Sequence, residues 1–240
     1  MPTRLPSLQR PPIGFAHRGA RANAPENTVE SFALALRLGA TGLETDVWVT
    51  SDGVAVLDHD GMVGRRPRRR PISELPRAEL PPHIPDVADL VSLLGEVVEL
   101  SVDVKDPTAA RPLLSALGTD DPTRLARVWL CHDDHELLLG WRELAPQVRL
   151  VDSTRRKALG QGPERHAAQL REKGIDAVNL HHSDWTGGLV ALYHRFGVRA
   201  WGWDAQHPRI IDGLLDMGID GVFSDHVDRL CDALARAGSD

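Results

Sequence analysis

Glu44 and Asp46 stand two residues apart in Gly42-Leu-Glu-Thr-Asp-Val-Trp-Val49, a stretch that is otherwise mostly apolar. In a β-strand residues i and i+2 leave the same face, so both carboxylates project together. Two uncompensated carboxylates on a buried face are costly, and a divalent cation between them would offset that cost. The competing interpretation is an exposed strand with two solvated acids. Asp103 and Lys105 repeat the i, i+2 spacing further on, and Asp103 could supply a third carboxylate to the same ion. Lys105 would project beside it, suited to neutralise an anionic oxygen. Of 28 basic residues only Lys105, Lys157 and Lys173 are lysines, so a compact ammonium at 105 is a specific choice. A simple ion pair between Asp103 and Lys105 is the alternative. Three carboxylates with no thiolate and no His-x-His pair favour a hard, oxygen-loving ion, Mg²⁺ or Ca²⁺ rather than Zn²⁺. His17 and His59 add two groups that exchange protons near neutral pH, and such a pair can act as acid and base on opposite sides of one bond. With eleven histidines present, composition alone does not single these two out.

The elements that would position these residues follow from pattern. Apolar, β-branched runs predict strands at Ile13–His17, Gly42–Val47, Val98–Val104, Arg127–Cys131, Val148–Asp152, Ala177–Leu180, Val198–Trp203 and Gly221–Ser224. Helical patterns fall between them at Thr28–Leu38, Val87–Leu94, Ala109–Leu117, Asp134–Leu144, Pro163–Lys173, Thr186–Phe196, Pro208–Met217 and His226–Ala237. Eight strand–helix repeats in 240 residues predict an α/β fold, a single-domain (β/α)8 TIM barrel over 1–240. A doubly wound sheet is the runner-up, but no Gly-rich dinucleotide turn follows the first strand. Asn27 is expected to cap the first helix, with Glu30 completing a capping box. Ser51-Asp-Gly53 reads as a turn returning the chain along Val54–Leu57, and the arginine- and proline-rich segment at about 60–85 as an insert over one barrel end. In such a barrel, chemistry gathers at the carboxyl ends of the strands. Polar residues close most of the predicted strands there: His17-Arg18, Glu44/Asp46, Asp103/Lys105, His132, Asp152, His181-His182, Asp204 and Asp225. That pattern predicts a polar mouth for an ionic ligand.

Composition narrows the function classes. A net charge of −6 gives no reason to expect nucleic acid. Two distant cysteines, Cys131 and Cys231, offer neither a disulfide framework nor a thiolate metal site. With no membrane-length apolar stretch and no signal-like N-terminus, the expectation is a cytoplasmic protein without stable membrane insertion. The arginine run Arg65-Arg66-Pro67-Arg68-Arg69-Arg70 reads as a solvated basic loop rather than a headgroup-binding patch.

His17-Arg18-Gly19, Pro25-Glu26-Asn27-Thr28, Glu44-Thr-Asp46-Val47, Asp52-Gly53-Val54 and His59-Asp60, in that order, resemble the glycerophosphodiester phosphodiesterase family. Ile84-Pro85, Val102-Asp-Val-Lys105 and Gly218-Ile-Asp-Gly-Val-Phe-Ser-Asp225 resemble its later signatures, so the likeness runs from about 13 to about 230. The resemblance implies a metal-dependent hydrolase acting on small glycerophosphodiesters. It implies metal ligation by Glu44, Asp46 and Asp103, acid–base roles for His17 and His59, phosphate contacts from Arg18 and Lys105, and bracing of the site by Glu26 and Asn27. Departures accompany it. The family usually has glutamate at 103, and its Trp-Thr-Val-Asn becomes Trp201-Gly-Trp-Asp204 here. Trp203 is expected as an apolar wall for the alcohol part of the substrate, with Asp204 near its hydroxyls, whereas core packing explains Trp201 equally well. His132 and His181 stay outside the catalytic set. Asp103 also resembles the sphingomyelinase D group, which keeps lysophospholipid or sphingolipid cleavage as an alternative. A barrel that binds a phosphodiester without turnover is the non-enzyme alternative.

Overall fold

A computed structural model describes residues 4–65 and 67–238. Eight parallel strands close into a barrel: β1 (Ile13–Ala16), β2 (Gly42–Val49), β6 (Glu99–Val104), β7 (Val128–His132), β8 (Arg149–Ser153), β9 (Ala177–His181), β10 (Arg199–Trp203) and β11 (Gly221–Ser224). Pairing of β1 with both β11 and β2 completes the ring. A short β3 (Ala55–Leu57) returns antiparallel along β2, as the Asp-Gly turn predicts. The helices between strands are α1 (Val29–Arg37), α2 (Val87–Val91), α3 (Ala110–Leu117), α5 (His135–Leu144), α6 (Pro163–Glu172), α7 (Gly187–Arg195), α8 (Pro208–Asp216) and α9 (Val227–Ala237), with a one-turn α4 (Pro122–Leu125) before β7.

Strand parity sorts the core into two layers. One face of the strands sends Ile13, Phe15, Trp129, Cys131, Val151, Ala177, Trp201 and Phe223 into the barrel. Phe15 stacks on Phe223 with centroids 4.5 Å apart, and Trp201 meets Trp129 at 4.5 Å. Rings of this size fit because small residues face them. A Cβ at Gly42 would come within 2.6 Å of Phe15, and one at Gly221 within 2.8 Å of Trp201. Trp201 is thus a core residue. The opposite strand faces pack Leu, Val and Ala against the helices. Among the described residues no helix is long and apolar enough to cross a membrane.

Three expectations need correction. Thr28, not Asn27, caps α1: its side chain accepts the Ser31 N–H, which leaves Glu30 at the second helical position, unable to close a box. Asn27 adopts φ +53° and turns its amide toward β2. Helix α2 stops at Val91, because its last turn tightens into Leu93 N–H to Leu90 and Leu94 N–H to Val91 bonds. The insert is more than a loop. Strands β4 (Met62–Val63) and β5 (Arg70–Pro71) form a small ribbon, and Ile72, Leu75, Leu80 and Ile84 pack with Val56 of β3 in their own apolar cluster. In the arginine run, Arg65 and Arg68 are exposed, Arg69 pairs with Asp60 at 2.8 Å and Arg70 with Glu79 at 3.3 Å. Arg66 lies outside the described residues.

At the base of the barrel one carboxylate joins three parts of the chain. Asp220, wholly buried, accepts from Ser7 Oγ at 2.6 Å, from the backbone N–H groups of Leu8 and Gln9 at 2.7 and 2.9 Å, and from that of Ala200 at 2.7 Å. His194 Nε2 lies 2.7 Å away. Burial opposes its charge, but these donors outweigh burial and lower its pKa. A depressed carboxylate pKa stabilises the fold above the ordinary carboxylate value, and that stability is lost as pH falls through the folded value. Asp220→Asn is expected to cost about 3 kcal/mol at neutral pH. Urea denaturation should show the gap between variant and parent shrinking as pH drops below about 4.

Candidate active site

The site begins where β1 ends. Its last turn is fixed by His17 N–H bonding to Ser224 O at 3.1 Å. Arg18 then takes φ +52° and Gly19 φ +80°. Arg18 is held there by its carbonyl, which accepts from Asn27 N–H at 3.0 Å and Ser31 Oγ at 2.8 Å. A Cβ at Gly19 would collide with Ser31, so only glycine permits this closeness. The turn aims the Arg18 backbone N–H at Glu44 Oε2, 2.8 Å away.

Strands β2 and β6 carry the acids in register, with Asp46 opposite Asp103 and Glu44 opposite Ser101. Glu44 is 4% exposed and Asp46 1%. One oxygen from each of Glu44, Asp46 and Asp103 lies within 4.8 Å of the others, a group that could hold a metal ion. Lys105 Nζ bridges Asp46 and Asp103 at 3.0 Å each, so the pair expected within β6 exists and extends to β2. Arg18 Nε lies 3.3 Å from Asp46, and its Nη1 lies 3.2 Å from Glu26, which also holds Arg21 at 2.6 Å. Asn27, buried, donates from Nδ2 to Asp46 at 3.2 Å and accepts from Thr45 Oγ1 at 2.8 Å. Asp46 is thereby held by an arginine, a lysine and an amide.

His17 sits across from Glu44, its Nε2 3.8 Å from Glu44 Oε2 and its Nδ1 2.6 Å from Asp225 Oδ1. Asp225 is positioned in turn by its N–H, which donates to Gln206 Oε1 at 2.9 Å. A ring held by a carboxylate at Nδ1 presents Nε2 to its surroundings in one orientation. Burial pushes the Glu44 carboxyl up to about 8, with Asp46 and Asp103 adding to the rise against His17. Burial favours a neutral His17 ring, but Glu44 and Asp225 outweigh it and raise the pKa. Burial likewise works against Lys105, and Asp103 and Asp46 overcome it and keep the ammonium charged.

A cavity of about 620 Å³ opens over these groups, lined by His17, Arg18, Glu44, Asp103, Arg155 and Trp203 among others. The Trp203 ring forms part of its wall, with the Arg155 guanidinium 5.2 Å from the ring centroid and His181 edge-on at 4.7 Å. Asp204 takes φ +61°, and its carboxylate meets Gln206 Nε2 at 3.1 Å and His181 Nε2 at 3.2 Å. His59 is placed differently. The loop after β3 brings it to the rim, where Asp58 N–H reaches Asp46 O at 3.2 Å. Its Nδ1 lies 2.9 Å from Asp60, its side chain is 38% exposed, and it is not among the cavity's lining residues. Asp152 does not belong to the mouth: it lies one residue before the end of β8 and faces outward, toward His135 and His166. His132 accepts the Asp134 N–H and packs edge-on against Trp141.

A family model decides what this constellation is. Residues 17–229 match the glycerophosphoryl diester phosphodiesterase family. The chain belongs to that family. It is therefore a phosphoric diester hydrolase. The family member named probable glycerophosphodiester phosphodiesterase 2, from Mycobacterium tuberculosis, is 27% identical, covering 94% of this chain and 92% of its own. The fold is that of the Thermotoga maritima glycerophosphodiester phosphodiesterase, with TM-score 0.80, 20% identity and coverage of 92% of this chain and 97% of that one. It is equally that of an Oleispira antarctica phosphodiesterase solved with the product sn-glycerol-3-phosphate, with TM-score 0.80, 21% identity and coverage of 93% and 97%.

In this family member the sequence pattern left three contributors outside the site set: Asp225, Arg21 and Gln206. Asp225 was visible as a strand-ending acid. Its partnership with His17 was not, because the two lie 208 residues apart and meet only when β1 pairs with β11. Arg21 and Gln206 carry no spacing signal. For Asn27, the two hydrogen bonds and the left-handed backbone can be separated. Asn27→Gly tolerates φ +53° but strands Thr45 and Asp46, and is expected to destabilise by about 1–3 kcal/mol in urea denaturation. Asn27→Ala should cost about 1 kcal/mol more, from the backbone.

Proposed function

We propose that the enzyme hydrolyses small glycerophosphodiesters to sn-glycerol 3-phosphate and an alcohol, using one divalent cation, Mg²⁺ or Ca²⁺. The observation that carries this reading is the convergence of Glu44, Asp46 and Asp103 beside Arg18 and Lys105, in a cavity that also presents His17. The donor set fits such an ion: three carboxylate oxygens, two of the residues almost fully buried, outnumber the two cations that touch them. When bound, the ion supplies Lewis-acid stabilisation of charge on a phosphoryl oxygen.

The chain's own residues divide the remaining work. Arg18 and Lys105 flank the acids and complement the charge that builds on the equatorial oxygens. His17, oriented by Asp225, exchanges a proton through Nε2. His59, held at the rim beside Asp60, carries the complementary transfer once substrate spans from the cavity to it. The attacking oxygen, of water or of the neighbouring glycerol hydroxyl, gives its proton to one imidazole as its bond to phosphorus forms. The phosphorus–oxygen bond to the alcohol breaks, and the other imidazole protonates the departing oxygen; attack by water gives sn-glycerol 3-phosphate directly, and attack by the glycerol hydroxyl gives a cyclic phosphate that a water molecule then opens to the same product. Trp203 provides the wall against which the alcohol rests, and Glu26 and Asn27 brace the phosphate side. The polar groups around Trp203, from Arg155, Asp204 and Gln206, suit a small polar alcohol better than a long acyl chain. The product seen in the Oleispira antarctica neighbour is of the same class.

Purified protein is expected to turn over glycerophosphocholine, glycerophosphoethanolamine or glycerophosphoglycerol with Mg²⁺ or Ca²⁺, and to stop with chelator. Glu44→Gln should demand far more metal. His17→Ala and His59→Ala should each lower kcat by about 10²–10⁴-fold with an unchanged circular dichroism spectrum. Turnover indifferent to chelator would remove the metal from this reading, and a near-normal His59→Ala rate would assign the second proton transfer elsewhere.

A further inference from the structure

Behind the barrel wall lies a second cluster that the phosphodiester chemistry does not use. In β8, Val151 enters the barrel core and Ser153 lines the cavity, so Asp152 between them must face the helices. There it is 2% exposed, with Oδ1 3.5 Å from His135 Nε2 and Oδ2 2.8 Å from His166 Nε2. His135 opens α5, and His166 lies in α6 and is 8% exposed. The other ring nitrogen of His166 is 2.9 Å from the Tyr193 hydroxyl of α7. We propose that His135, Asp152 and His166 form a second metal site, taking Zn²⁺ and tying β8 to α5 and α6.

The donor chemistry sets the ion. Two imidazole nitrogens and one carboxylate oxygen, all within 4.8 Å of one another, suit Zn²⁺ and not the oxygen-seeking ions expected at the mouth. Ligand atoms of a tetrahedral Zn²⁺ lie roughly 3.3 Å apart; His135 Nε2 stands 3.5 Å from Oδ1 and His166 Nε2 2.8 Å from Oδ2, so the ion needs the His166 contact to open by roughly 0.5 Å. Asp152 Oδ2 is buried beside His166 Nε2 at 2.8 Å with no second partner among the described residues, so no backbone or hydroxyl donor competes for that carboxylate oxygen. Tyr193 supplies the outer partner that fixes a ligating imidazole. The His135 side chain, 18% exposed, leaves a route by which an ion can reach the cluster from solvent. Because Ser153 and Thr154 continue directly into the cavity lining, Zn²⁺ here would stiffen one wall of the substrate pocket from outside.

The test is a Zn²⁺ titration of the full-length protein held in excess Mg²⁺, which fills the acid site without competing for imidazole, with bound zinc counted after gel filtration. One tightly held Zn²⁺ per chain is expected, retained in Glu44→Gln and His181→Gln and lost in His135→Gln and His166→Gln. Tyr193→Phe should weaken binding by about 10–100-fold. Zn²⁺ should raise the Tm of the parent and leave that of His135→Gln unmoved. His135→Gln replaces a partly exposed side chain at a helix start, so its folding does not depend on the buried members of the cluster. No retained Zn²⁺ in the parent, Zn²⁺ that survives loss of both histidines, or Zn²⁺ lost with His181→Gln or Glu44→Gln would overturn the proposal. Since the readout is bound metal and Tm, its failure leaves the phosphodiesterase reading untouched, and the reverse holds as well.

Discussion

The repulsion among three carboxylates packed into the end of a barrel is the constraint around which the site is organised. Glu44 and Asp46 are almost wholly buried, and Asp103 stands in register beside Asp46. Left alone, such a group would drive its members to take up protons or to move apart. Lys105, Arg18 and Asn27 all point at Asp46 and hold it in place. Among the described residues Glu44 has only the Arg18 N–H and a histidine 3.8 Å away, and its carboxyl rises to about 8. The deficit of positive charge is thus concentrated on Glu44, which lines the cavity. A hard cation is the economical remedy, and an anionic phosphoryl group can approach only where positive charge is in excess.

Precision in this arrangement comes from backbone as much as from side chains. Strand register alone sets Asp46 opposite Asp103, and parity alone turns both inward. The turn after β1 adds what strands cannot. Left-handed Arg18 and Gly19 let one residue contribute an N–H to Glu44 and a guanidinium to Asp46 at once. Asn27, also left-handed, locks the carbonyl of that turn from behind. A non-glycine residue at φ near +50° carries strain, and here the surrounding hydrogen bonds hold it in place.

Most of the fold was legible because barrel strands announce themselves by short apolar runs at regular spacing, and all eight fall within two residues of their predicted ends. The acids were legible for a related reason: i, i+2 spacing on a strand is a local property. What was not legible depends on which of two faces a residue takes, or on distant partners. Asp152 lies within a barrel strand as Asp46 does, but one residue of parity sends it to the helices instead of the mouth. Asn27 has the composition of a helix cap, yet Thr28 follows and can cap equally well, which frees the amide for β2. Asp225 finds His17 only through closure of the ring. The insert hid its ribbon because two-residue strands carry too little pattern to detect.

Burial by itself does not mark a functional acid in this molecule. Asp220 is less exposed than Glu44, yet its pKa falls where that of Glu44 rises. The difference lies in the number of donors each receives. Asp220 is met by a hydroxyl, three backbone N–H groups and a histidine, which together stabilise its charge and leave nothing for a ligand to do. Glu44 receives one N–H and shares its space with two more acids. A saturated acid is a structural joint, and an undersupplied one is a place where the fold waits for charge from outside. Asp152 differs from both: its pKa falls like that of Asp220, but its charge is met by two imidazole nitrogens, which can ligate a metal where backbone N–H groups cannot.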